Sequence, residues 1–168
     1  SYKEADAVIS SKHAIKTEDG DKEKPPFAAG VLTEVRELPS VSTAAGELTD
    51  TTTLVDRKGK PIGEAETGAG VGVDAATGTS LSPLSLAAGE WPRGEAQIAI
   101  DKSTAEDEQF KVGDRIGAFA DGPVLKYEIT GLVRFGELDS LAGTTIAVFD
   151  MPTAATLFDK QGKLDQIL

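Results

Sequence analysis

The sequence contains no cysteine, which excludes disulfides, thiolate nucleophiles and cysteine-ligated metals together. Histidine is nearly absent as well. His13 is the single one, and it lies in a polar segment with no motif around it, so it reads as a surface residue. A Ser-His-Asp relay would have to use it. None of the H-E-x-x-H, G-x-S-x-G, S-x-x-K or phosphate-loop patterns occurs. Aromatic residues make up only 5% of the chain, so the core must be built from Val, Ile, Leu and Ala. No apolar run reaches the roughly eighteen residues that a membrane span requires. Positive charge is scarce too: seventeen Lys and Arg face twenty-eight Asp and Glu, for a net charge of −11. That balance argues against nucleic acid as a partner and against an anionic lipid surface.

What is plentiful is carboxylate and glycine, and neither forms a site. Glu18-Asp19-Gly20-Asp21 lacks the spacing and the closing glutamate of a calcium loop and reads as a solvated loop. Gly68-Ala69-Gly70-Val71-Gly72 does not stand between a clear strand and a clear helix, so it reads as a flexible turn rather than a dinucleotide loop. Glu106, Asp107 and Glu108 read as a solvated helix start favoured by the macrodipole. No two carboxylates are paired by the sequence for acid–base work. The residue pattern therefore predicts no catalytic, cofactor-binding or metal-binding residue, and no cofactor.

The periodicities predict a single α+β domain. Ala5 to Ser10 suits a strand, and the charged stretch from His13 to Lys24 reads as an exposed loop. Phe27, Val31, Val35 and Leu38, with Leu32, share one face of a helix that Pro39 stops. An extended Thr-rich segment runs from Val41 to Val55, and Asp56 to Lys60 forms a hairpin turn with Gly59 at positive φ. Residues Gly63 to Gly89 carry few elements: a short strand at Val71–Val73 and a turn near Leu84–Gly89. Trp91 plugs an edge of the core. The most regular stretch is Glu95 to Phe135. It reads as a strand at Gln97–Ile100, a short helix capped by Ser103 with Glu106 reaching back, and a Val112-Gly113-Asp114 turn. A strand at Arg115–Phe119 and a long strand from Val124 to Phe135 follow, the latter with a bulge or bend at Gly131. A strand at Thr144–Phe149, a helix capped by Asp150 and ended by Gly162, and a strand at Leu164–Leu168 complete the chain. Two β-α-β units thus bracket a β-rich middle. The abrupt ends, Ser1-Tyr2-Lys3 and Gln166-Ile167-Leu168, predict a fragment of a longer protein.

Several ordered elements resemble the extracytoplasmic core domain of MacB-like, FtsX-type ABC transporter permeases, in the branch of high-GC Gram-positive bacteria. They are Ala5-Asp6-Ala7-Val8-Ile9, Leu38-Pro39-Ser40-Val41, Leu54 to Gly59, Leu86 to Pro92 and Ile98-Ala99-Ile100-Asp101. Lys111 to Ile116, Tyr127 to Leu132, and Asp139 to Gly143 before Val148-Phe149-Asp150 complete the series. No one motif is specific; the order covers essentially the whole chain. The resemblance implies a membrane-proximal subdomain at about 1–75 plus 136–168, made of the two β-α-β units, and a β-rich subdomain inserted at about 76–135. It implies a non-enzymatic domain outside the plasma membrane that couples ATP-driven motion of membrane helices to export, extraction or regulation of a partner. The partners implied are the permease's own transmembrane helices, a cytoplasmic ABC ATPase that hydrolyses the ATP, a second permease copy, and an extracellular substrate or protein. No adaptor-binding residues can be mapped. A small extracellular hydrolase and a stand-alone binding module are the rival readings.

Overall fold

The computed structural model describes residues 5–12, 15–16, 22–63, 67–136 and 143–168. His13, the Glu18–Asp21 cluster and Asp139 lie outside them. Among the described residues, fourteen strands and four short helices follow in order. They are β1 (Ile9–Ser10), β2 (Ile15–Lys16), β3 (Lys22–Glu23), β4 (Phe27–Ala28), α1 (Val31–Arg36), β5 (Gly46–Thr51), β6 (Thr53–Val55), β7 (Ala69–Val73) and α2 (Gly78–Leu81). The rest are β8 (Leu84–Gly89), β9 (Gln97–Asp101), α3 (Lys102–Asp107), β10 (Arg115–Phe119), β11 (Leu125–Phe135), β12 (Ile146–Asp150), α4 (Met151–Leu157), β13 (Lys163–Leu164) and β14 (Gln166–Ile167).

Ten of the strands form one mixed sheet in the order β1-β14-β5-β7-β12-β9-β11-β10-β6, with β8 added to β11. The pairs β12–β7 and β11–β9 are parallel, and the remaining pairs of the sheet are antiparallel. Strand β9, from the expected insertion, pairs with β12 of the expected membrane-proximal part, and β6 of that part pairs with β10.

Alternation divides the apolar residues between the two sheet faces. One face gathers Leu48, Ile98, Ile100, Tyr127, Ile129, Ala147 and Phe149 beneath Ala105 and Phe110 of the α3 region and Ala154 and Phe158 of the α4 region. The rings of Tyr127, Phe149 and Phe158 meet edge to face, with centroids 5.2 and 6.1 Å apart. The opposite face gathers Val73, Leu84, Ala99, Val133, Ile146 and Val148, with half-buried Trp91 against them. Strand β11 serves both faces through the bulge expected at Gly131. Its register against β9 shifts between Ile129 and Gly131. Tyr127 and Ile129 before the bulge, and Leu132 after it, point to the helical face, whereas Val133 points to the other. Gly131 is required there, because a Cβ would stand 2.4 Å from the Glu90 carbonyl oxygen.

Several expectations need correction. The stretch from His13 to Lys24, expected as a loop, holds β2 and β3, which pair antiparallel. The helix predicted from Phe27 to Leu38 is only Val31–Arg36, because Phe27–Ala28 pairs with Lys163–Leu164 and Pro39 disfavours helix at Leu38. Leu84–Gly89 is a strand, formed by pairing with the second half of β11. The glycine run at 68–72 is neither a turn nor a nucleotide loop. Most of it is β7, an interior strand on which α4 lies so closely that a Cβ on Gly72 would stand 2.4 Å from Cβ of Ala154. The α3 cap is Asp101, not Ser103: its carboxylate accepts from the Thr104 amide at 2.8 Å and from Ser103 Oγ at 2.6 Å. Glu106, Asp107 and Glu108 consequently sit at the end of α3, and Glu106 pairs with Lys102 at 3.2 Å. The cap of α4 is Asp150, as expected, accepting from the Thr153 amide at 3.1 Å; that helix stops at Leu157.

Candidate functional site

The first and last strands of the sheet meet at one edge. Ile9 lies opposite Ile167 and Ser10 opposite Gln166, antiparallel. Chain preceding Ile9 and chain following Ile167 therefore leave this edge at the same pole. Strand β14 is in turn zipped to β5: Gln166 faces Glu47, Ile167 faces Gly46, and Ala45 and Leu168 exchange both backbone bonds at 3.1 and 2.9 Å. Val8 and Ile9 leave apolar surface exposed here, as does Leu38 beyond α1. A cavity of about 280 Å³ lies beside the pole, lined by Ile9, Val35, Val41, Ala44, Ile167 and Leu168.

Two-residue strands hold weakly by themselves, and a charged clamp reinforces this edge. Lys160, just beyond α4, donates to the Thr49 carbonyl at 2.6 Å and to the Asp165 carboxylate at 3.0 Å, and lies 3.1 Å from the Asp50 carboxylate. Asp165 also accepts from the Thr49 amide at 2.8 Å. Partial burial would lower the Lys160 pKa, but the carboxylates of Asp165 and Asp50 outweigh it and hold the ammonium form above its ordinary range. An open groove of about 940 Å³ runs alongside, with Thr49, Thr51, Val71 and Gln166 among its lining and Lys24 and Lys160 at its rim.

Beneath the groove, Glu47 is buried against Gln166, whose amide donates to its carboxylate. Burial pushes this carboxyl up to about 7; the Gln166 amide pulls it down, and the nearby charge of Asp165 adds to the rise. In the sequence Glu47 looks like one more polar residue of a Thr-rich strand. Only the pairing of β14 over it reveals the burial.

At the opposite edge a second staple joins the hairpin to α3. Arg57 pairs with Asp114 at 3.0 Å, donates to the Glu108 and Gln109 carbonyls, and lies 4.1 Å over the Phe110 ring. Gly59, at φ 82°, closes the hairpin as expected.

Among the described residues no three of His, Asp and Glu converge as metal ligands. Beside the pole, Asp50 and Asp165 pair with Lys160, and Glu47 accepts from Gln166. This arrangement resists displacement of strands.

No family model and no curated protein matches the sequence. Solved structures do. The extracellular domain of the ABC-type transporter YknZ from Gram-positive bacteria superposes with a TM-score of 0.62 at 13% identity, covering 96% of this chain and 81% of that one. The periplasmic region of MacB from Actinobacillus actinomycetemcomitans gives a TM-score of 0.65 at 9% identity, over 95% of this chain and 71% of that one. A domain assigned to a permease protein from Porphyromonas gingivalis gives 0.57 at 18% identity, over 92% and 68%. The chain thus has the α+β fold of the extracellular domain of YknZ and the periplasmic region of MacB, as the ordered sequence elements led us to expect.

Proposed function

We propose that this chain is the extracytoplasmic domain of an ABC transporter permease and works mechanically rather than as an enzyme. The observation that carries the reading is the β1–β14 pair. In a fold shared with such domains, it brings the two ends of the described chain to one pole, where two membrane helices would join them. Motion of those helices, driven by ATP hydrolysis in a separate cytoplasmic ATPase, would enter through β1 and β14 and reach β5 through the Lys160 clamp. The sheet then carries it toward its far edges, β6 and β8, where an extracellular substrate or protein partner, or a second permease copy, would be engaged.

On this reading the membrane-proximal part would be about 1–75 plus 136–168 and the insertion about 76–135; β9 and β12, one from each, pair at two positions where β12–β7 pair at five. Strand β6 is carried across to β10. A lever of two lobes sharing one core transmits displacement without hinging freely.

The test uses the whole transporter with its ATPase in nanodiscs. Because this stretch has no cysteine of its own, a spin label at Lys126→Cys can be paired with one at a membrane-helix end. The distance distribution is expected to shift when ATP is trapped. An unchanged distribution in an ATPase-active preparation would refute mechanical coupling.

A further inference from the structure

Glu47 stands in a row that crosses the pole, Ser10–Gln166–Glu47–Val73 on β1, β14, β5 and β7. It is 5% exposed. Among the described residues no cation faces it. Val73 on β7 is apolar, and Asp74 beyond it bonds the Ala76 amide and the Thr77 hydroxyl. Strand β14 brings the Gln166 amide and a like charge, Asp165. On β1, Ser10 receives the Lys24 ammonium at 2.7 Å. From the α4 side, Lys160 is held by Thr49, Asp50 and Asp165. A carboxylic acid is comfortable in this place, and a carboxylate is poorly solvated there.

An ionised Glu47 gains water most cheaply where the cover is thinnest. Strand β7 holds β5 through five paired positions in the sheet interior, whereas β14 holds it through two and has only the two-residue β1 outside it. We propose that Glu47 is a proton-operated latch on the terminal strands: neutral, it lets β14 and β1 lie on β5; ionised, it favours their lifting while β5–β7 stays intact. Resting on the permease reading, this means that external pH sets the stiffness with which the membrane helices grip the domain. The latch itself is testable without that reading.

The test is amide hydrogen exchange of the 168-residue chain at pH 5 and pH 8, corrected for intrinsic rates. The reporters are Ala45, Asp165 and Leu168, whose amides close the β5–β14 ladder. Opening returns the carboxyl from about 7 to its ordinary 4.5, so their opening constant should rise roughly 70-fold between the two pH values. The Gly113 and Glu128 amides, bonded at β11, open only with the whole sheet and should stay better protected than the reporters at both pH values. In E47Q the reporters should lose this dependence, and in H13Q, which removes the single histidine, they should keep it. Protection at β11 no higher than at the reporters, or a dependence that survives E47Q, would overturn the latch. If E47Q fails to fold, carbon-13 titration of the Glu47 carboxyl in the wild-type chain decides. A midpoint near 7 coinciding with the exchange midpoint supports the latch, and a midpoint near 4.5 overturns it.

Discussion

Asp101 should prove the most costly carboxylate to remove. It is fully buried at the junction of β9 and α3. One oxygen accepts from the Thr104 amide and the Ser103 hydroxyl, and the other accepts from the Ile146 amide at 2.8 Å, tying the start of β12 to the helix cap. D101A removes the cap, at about 1 kcal/mol. It also strands a buried amide at Ile146, at about 1–3 kcal/mol. The expected loss is therefore about 2–4 kcal/mol. D101S separates the two parts: its hydroxyl can still cap Thr104 but is too short to reach Ile146, so about 1–3 kcal/mol should be lost. Urea unfolding followed through Trp91, the only tryptophan, gives both values, and an unchanged m-value confirms that the folded state is the same. A D101S variant as stable as wild type would show that the Ile146 bond contributes nothing; a loss below about 1 kcal/mol in D101A would refute the whole account of this junction.

Gly72→Val should cost about 2–3 kcal/mol by overpacking, since even its Cβ would press on Ala154; partial recovery on adding A154G would place the strain there. Lys160→Met should cost about 1–2 kcal/mol, more than an exposed ion pair, because it leaves Asp50 and Asp165 without their cation; thermal melts of the variant measure it. Because the Glu47 carboxyl is raised from 4.5 to about 7 on folding, the unfolded chain gives up its proton first. Its contribution is full below pH 4.5, falls between 4.5 and 7, and is lost above. The change amounts to about 3 kcal/mol. E47Q should therefore flatten the decline in stability measured across that interval.

The parts of the fold visible in the sequence are those set by local chemistry. The alternation of Tyr127 and Ile129, the turn at Gly113 and the Asp150 cap each depend on neighbours a few residues away, and each is found. Elements made by distant partners were hidden. Leu84–Gly89 has a weak pattern and becomes a strand only because Val133 and its neighbours pair with it. The run at 68–72 looks like a turn because its glycines answer to Thr52, Phe158 and Ala154, residues far along the chain. Asp101 and Ser103 both suit a cap. Burial against Ile146 selects the aspartate, and no local rule contains that contact. The pole itself was legible only through the family resemblance, since nothing in Ile9 or Ile167 announces that they are partners.

The most direct test of the permease account is the side of the membrane on which the domain lies. In cells carrying the whole protein with Lys126→Cys, on the exposed β10–β11 hairpin, a membrane-impermeant maleimide should label intact cells as fully as lysed ones. Labelling only after lysis would place the domain inside the cell and contradict the account.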